Sequence, residues 1–126
     1  MREIGKIFSF EAAHKLPFHR GACQNLHGHS YRLEVRISGK VIYNKSQPDQ
    51  GMIMDFSQLK GIVREAAIDS YDHSLLNNHF HNPTAELMVE EIADAIKQKL
   101  PKRVQLTMVK LWETEDNYAI WRNENL

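Results

Sequence analysis

Two histidines one residue apart, His27 and His29, follow Cys23 in the stretch CQNLHGHSY over residues 23–31. Cys23 is the only cysteine of the chain. In an extended strand, residues i and i+2 point to the same side, so the two imidazoles share a face. A third imidazole, His14, ends the segment FSFEAAH over residues 8–14. If the two segments pair as a hairpin, His14 is carried toward His27 and His29. Three neutral imidazoles converging on one point make a zinc-type ligand set, and three protein ligands leave the fourth position to water or substrate, the catalytic pattern. Cys23 keeps a second arrangement open. As a fourth ligand it would close a structural Cys-His-His-His tetrahedron. Left unligated beside a cation, its thiol would lose a proton more easily and serve as a base. The spacing by itself admits both arrangements.

Other residues have chemistry to offer. Asp72 precedes His73 in YDHSLLNN, residues 71–78. A carboxylate beside an imidazole can fix its tautomer and stabilise its charged form. The plainer reading is a helix end, with His73 against the dipole and Asp72 solvated. Glu113 closes KLWE, where a carboxylate at a strand end can accept two parallel N–H bonds from a guanidine-like edge. Its plainer reading is a solvated rim residue. His79 and His81 flank Phe80 in NHFHNP. They repeat the H-x-H spacing inside a polar connector, and are read as solvated loop histidines. No glycine-rich phosphate loop occurs in the sequence.

These groups need strands and helices to hold them. The chain has 126 residues, the size of one domain, 1–126. IGKIFSFEAAH reads as a strand. SYRLEVRISGK alternates, with Tyr31, Leu33, Val35 and Ile37 on one face and Arg32, Glu34, Arg36 and Ser38 on the other. The tripeptide VIY, residues 41–43, extends or restarts it, and NKSQPDQG is a turn by composition. A first helix is expected in DFSQLKGIVREAA, with Asp55 as N-cap, Gln58 at capping-box spacing, and Phe56, Leu59, Ile62, Val63, Ala66 and Ala67 as its apolar stripe. A second starts near NPTAE, with Pro83 at or just before its first turn, repeats Ala85, Met88, Val89, Ile92, Ala93 and Ile96, and stops at Pro101. RVQLTMVKLWE and NYAIWR are the closing strands. Strands before and after a helical pair predict an α+β fold, an antiparallel four-stranded sheet with two helices packed on one face. The Arg/Glu/Arg face is then left to water or to other subunits.

Sixteen basic and sixteen acidic residues cancel, and no basic stripe or aromatic stacking motif points to nucleic acid. No stretch is long enough to span a bilayer, and MREIGKIFSF lacks the form of a secretory signal. A single cysteine gives no internal disulfide. The expectation is a soluble cytoplasmic protein.

Taken together, FSFEAAHKLP, CQNLHGHSY, GMIMDF, YDHSLLN, NPTAE and KLWET, in this order, resemble the family of 6-pyruvoyl-tetrahydropterin synthases and the related 6-carboxy-tetrahydropterin synthases. The short gap between Cys23 and HGH is similar to the bacterial 6-carboxy, queuosine-precursor branch; the animal pyruvoyl type carries a longer insert there. The resemblance implies the T-fold (tunnelling fold), with sheets joined between subunits into barrels and stacked as a homohexamer, a dimer of trimers. Active sites then lie at subunit interfaces, and the polar sheet face lines the barrel. It implies one Zn²⁺ per subunit on His14, His27 and His29, with Cys23 as the proton-abstracting thiol rather than a ligand. Asp72 and His73 become the proton-transfer pair. Glu113 becomes the anchor of the pterin's 2-amino group and N3–H, and Thr84 and Glu86 become substrate contacts near it. The implied reaction converts 7,8-dihydroneopterin triphosphate to 6-carboxytetrahydropterin, losing triphosphate and acetaldehyde. A 6-pyruvoyl product, or a zinc-stabilised scaffold without catalysis, is the alternative. Ala85 stands where many relatives have a hydroxyl residue, and Tyr71 where they have an aliphatic one. Lys15, His19 and Arg20 are candidates for the triphosphate.

Overall fold

Two long strands frame the protein. β1 (Arg2–His14) and β2 (His27–Gly39) pair antiparallel from end to end, Arg2 opposite Gly39 and His14 opposite His27. The computed structural model describes residues 2–126. Aromatic and β-branched residues at every second position suit a pleated, half-buried surface. Phe8, Phe10, Tyr31, Leu33, Val35 and Ile37 all enter the core. The rings of Phe10 and Tyr31 stack 4.9 Å apart at 6°.

β4 (Val104–Trp112) pairs antiparallel with β2, and β5 (Tyr118–Arg122) with β4. The pairing of β2 with β4 slips between Arg36 and Ile37, where Thr107 is the extra residue. Its hydroxyl donates to the Arg36 carbonyl at 3.1 Å, satisfying a polar group at the break. Ser38, assigned to the open face by alternation, lies just past this slip and is buried. The open face keeps Arg32 and Arg36 exposed, and Ile7 as well. Residues 41–43 do not prolong β2; Ile42 instead exchanges backbone bonds with Gly51 and Met52 across a loop.

The expected sheet of four antiparallel strands is in fact five-stranded and mixed, in the order β3-β1-β2-β4-β5. The addition is β3 (Ser74–Leu75), parallel to Ala12 and Ala13 at the edge of β1. Two residues are too few to show alternation. Its pairing begins next to a distant backbone bond, His73 N–H to the Glu11 carbonyl at 2.6 Å.

The helices cover the other face. In α1 (Phe56–Val63), Asp55 caps by accepting the backbone N–H and hydroxyl of Ser57, both at 2.8 Å. The helix widens into a π-helical turn, Arg64–Ile68, before the short α2 (Asp69–Tyr71). Leu59, Val63, Ala67 and Ile68 are buried, but Phe56 is not. As the first helical residue, Phe56 lines an outer cleft with Met52 and Met54 instead of joining the buried stripe. α3 (Ala85–Lys99) starts from Thr84 and packs on β4 and β5, burying Ala85, Met88, Val89, Ile92, Ala93 and Ile96. Among the described residues, no helix is long and apolar enough to cross a membrane.

Candidate active site

The sheet register builds the centre of the site. His14 and His27 are direct cross-strand partners, and His29 is two residues further along the same face of β2. One candidate ligand nitrogen from each lies within 4.8 Å of the other two. Cys23 is outside this group; it is half-buried in the short turn Ala22–Gln24 that precedes β2.

Hydrogen bonding sets the imidazole tautomers. The Pro83 carbonyl is 2.9 Å from His14 Nδ1, and the Asn25 carbonyl is 2.7 Å from His27 Nδ1. A carbonyl only accepts, so each Nδ1 carries the hydrogen and a neutral ring keeps its lone pair on Nε2. Those two Nε2 atoms are 3.0 Å apart. Lone pairs at that distance repel unless a proton or a cation lies between them. His29 Nε2 is buried with no hydrogen-bond partner. This orphaned nitrogen and the two facing lone pairs could together hold a metal ion, and imidazole suits zinc and its neighbours among the divalent ions. Burial pushes His14 and His29 below the ordinary histidine pKa of 6.5, outweighing the Pro83 bond at His14 and the nearby Glu113 charge, which pull upward. Both rings are thereby held in the neutral, ligating form at neutral pH. The carbonyls of Pro83 and Asn25, and the Tyr31 hydroxyl 3.2 Å from His14 Nδ1, form the outer support. Sequence reasoning missed all three in that role. For Tyr31 a signal existed, because it sits two residues beyond His29 on the same face; a carbonyl leaves none.

Glu113 follows the last residue of β4 and joins the cluster. Its Oε1 is 3.7 Å from His29 Nε2, and its Oε2 is 4.0 Å from His14 Nε2. It also lines a cavity of about 410 Å³ with Ala85, Glu86 and Tyr118. A carboxylate thus stands between the imidazoles and a recess floored by the start of α3. Thr84 stands at that start, but its hydroxyl is engaged, accepting the Leu87 N–H at 3.3 Å as N-cap. Thr84→Ala is expected to lower folding stability by about 1 kcal/mol, read from the urea midpoint.

Asp72 and His73 lie beside the edge of β1 that pairs with β3. Asp72 Oδ1 accepts the Glu11 N–H at 3.0 Å and lies 3.0 Å from His73 Nδ1. The Glu11 bond, helped by the His73 charge, holds the Asp72 carboxyl below the usual carboxylate range. His73 has φ 58, the left-handed region that residues other than glycine seldom enter. The bond from its N–H to the Glu11 carbonyl keeps it there. Its exposed ring borders a cavity of about 660 Å³ that His29, Ser30 and Glu11 also line. Cys23 does not line that cavity. The structure therefore gathers His14, His27, His29 and Glu113, brings His73 to the His29 wall, and leaves Cys23 on its own turn.

The remaining candidates lie apart. His79 and His81 are exposed and pack against Tyr71 and Phe18, at 5.2 and 5.5 Å between ring centroids. Tyr71 fills space beside Phe80, 5.1 Å away. Lys15, His19 and Arg20 are exposed on the segment that carries Cys23.

The family model described as 6-pyruvoyl tetrahydropterin synthase matches residues 3–124. The chain is 38% identical to a 6-carboxy-5,6,7,8-tetrahydropterin synthase of Haemophilus influenzae, over 94% of this chain and 97% of that one. It is 35% identical to a dihydroneopterin monophosphate aldolase of Pyrococcus furiosus, over 83% of each. Among solved structures, a 6-pyruvoyl tetrahydropterin synthase of Caenorhabditis elegans superposes with a TM-score of 0.81 at 25% identity, covering 98% of this chain and 96% of that one.

Proposed function

The chain belongs to the 6-pyruvoyl tetrahydropterin synthase family, and from that premise we propose that it is a zinc-dependent 6-carboxy-5,6,7,8-tetrahydropterin synthase. It would convert 7,8-dihydroneopterin triphosphate and one water to 6-carboxytetrahydropterin, acetaldehyde and triphosphate, in the making of a queuosine precursor. The observation that carries this reading is the convergence of His14, His27 and His29, whose candidate ligand nitrogens lie within 4.8 Å of one another with Cys23 outside the group; three protein ligands would leave a fourth position to water or substrate. The choice of branch follows the relative from Haemophilus influenzae.

His14, His27 and His29 would hold the zinc ion, which when bound supplies Lewis acidity toward the substrate's side-chain oxygens. Cys23, as thiolate, takes the proton from the adjacent side-chain carbon. His73, held by Asp72, returns a proton. Cys23 does not line the cavity that His73 borders; in this reading the two act together across a subunit interface in a homohexamer, a dimer of trimers. Glu113 accepts the pterin's N3–H and 2-amino hydrogens as a bidentate pair, with the ring beside Thr84, Ala85 and Glu86. Electrons move within the substrate, so no redox cofactor is required.

Metal-replete protein given dihydroneopterin triphosphate should yield acetaldehyde and a 6-carboxy product by mass analysis. A 6-pyruvoyl product with no acetaldehyde would support the second reading, which the match to the Caenorhabditis elegans structure favours. Glu113→Gln keeps one acceptor and loses the charge; kcat/KM is expected to fall by about 10²-fold, with metal content unchanged.

A further inference from the structure

The Cys23 turn is tied to the body of the protein through one peptide plane. Asn77, half-buried in the turn Leu76–Asn78 after β3, faces the main chain of Lys15, the residue following the ligand His14. Asn77 Oδ1 accepts the Lys15 N–H at 3.0 Å, and Asn77 Nδ2 donates to the Lys15 carbonyl at 2.9 Å. Reversing the amide would set donor against donor and acceptor against acceptor, so the pair admits one orientation. The Lys15 carbonyl and the Leu16 N–H belong to the same planar trans peptide and point in opposite directions. The Leu16 N–H donates to the Cys23 carbonyl at 2.8 Å. A single rigid group thus takes its orientation from Asn77 on one edge and passes it to Cys23 on the other.

The rest of the segment has few other ties. Within it, His19 bonds back to Leu16, and Phe18 leans on His81 at 5.5 Å. Phe18 and Leu26 are largely exposed, so no apolar core fixes the turn. The segment leaves the sheet at His14 and returns at His27. Asn77 holds its outgoing end independently of the metal centre.

We propose that Asn77 is a positioning residue that sets the placement of the Cys23 thiol through the Lys15–Leu16 peptide. This rests on Cys23 being the proton-abstracting group. Displacement of a reacting group by about 1 Å can cost 10²-fold in rate, and loss of both bonds lets this peptide rotate.

The test uses the full-length, zinc-loaded protein with Asn77→Ala, which removes both bonds, and Asn77→Asp, which keeps the acceptor for Lys15 N–H and loses the donor to the carbonyl. Cys23 is the only cysteine, so iodoacetamide labelling reports on its environment alone and does not depend on activity. Asn77→Ala is expected to lower kcat about 10-fold or more at nearly unchanged KM and metal content, and to change the labelling rate several-fold. Asn77→Asp should fall between it and the parent protein on both measures. Should Asn77→Ala fold poorly, Asn77→Asp alone decides by the same two measures. Parental kcat and labelling in the folded variants, alongside an inactive Cys23→Ala, would overturn the proposal. So would a loss confined to Tm and yield, with parental kcat per folded site. An active Cys23→Ala would remove the catalytic premise; altered labelling in Asn77→Ala would still establish the tether.

Discussion

Cys23→Ala is expected to lower kcat by about 10²–10⁴-fold while leaving one metal ion per chain, the span usually ascribed to a positioned acid or base. The sulfur is outside the three-imidazole group, so its removal takes away none of the three candidate ligand nitrogens. Cys23 is only half-buried, and it is the Cys23 carbonyl, not its side chain, that accepts the Leu16 N–H. Replacement by alanine therefore keeps that backbone bond and opens little space in a core. Elemental analysis, Tm and turnover measured on one preparation check the result. Loss of metal and fold together would mean that the sulfur completes a closed tetrahedron, and the protein would then be a scaffold.

His29→Ala should differ in the metal: metal and activity are both lost, and the apo-protein is little changed. His29 Nε2 is buried without a hydrogen-bond partner. Removing it withdraws an unsatisfied polar atom, an effect of about 1–3 kcal/mol that offsets the packing lost with the ring. Apo stability should accordingly stay within about 1 kcal/mol of the parent. The difference appears on adding Zn²⁺. An ion that binds only the folded state stabilises it by about 4 kcal/mol at a thousand times its Kd. Thermal scans with and without Zn²⁺ should show a rise for the parent and a flat response for His29→Ala. An equal rise in both would mean that the ion is held elsewhere. His14→Ala is a less clean choice, because it also abandons the Pro83 carbonyl.

Much of this site was legible because it is written in strand periodicity. Alternation from Tyr31 to Ile37 fixes which face of β2 is buried. It extends back two residues at a time to His29 and His27, and pairing of the first two strands brings His14 opposite. The helical stripes were legible for the same reason, apart from Phe56. What escaped the sequence depends on backbone groups or on partners far along the chain. Pro83 supports His14 from 69 positions away, Asn77 grips Lys15 from 62 away, and Asp72 meets Glu11 from 61 away. Strand β3 consists of two residues, and its pairing with Ala12 and Ala13 begins next to the bond from His73 to Glu11. The slip beside Thr107, which precedes buried Ser38, follows from how β4 meets β2 and has no local signature.

The direct pairing of His14 with His27 has a topological consequence. The chain between them departs and returns at two residues that would grip the same ion, so a bound metal turns that excursion into a closed ring, as a disulfide would. Ring closure removes freedom from the opened segment, and the removal persists only while the ion is present. The chain has one thiol and so no disulfide of its own. A reversible coordinate cross-link would take that place, letting the free ion concentration govern how far the thiol-bearing ring can stray from the sheet.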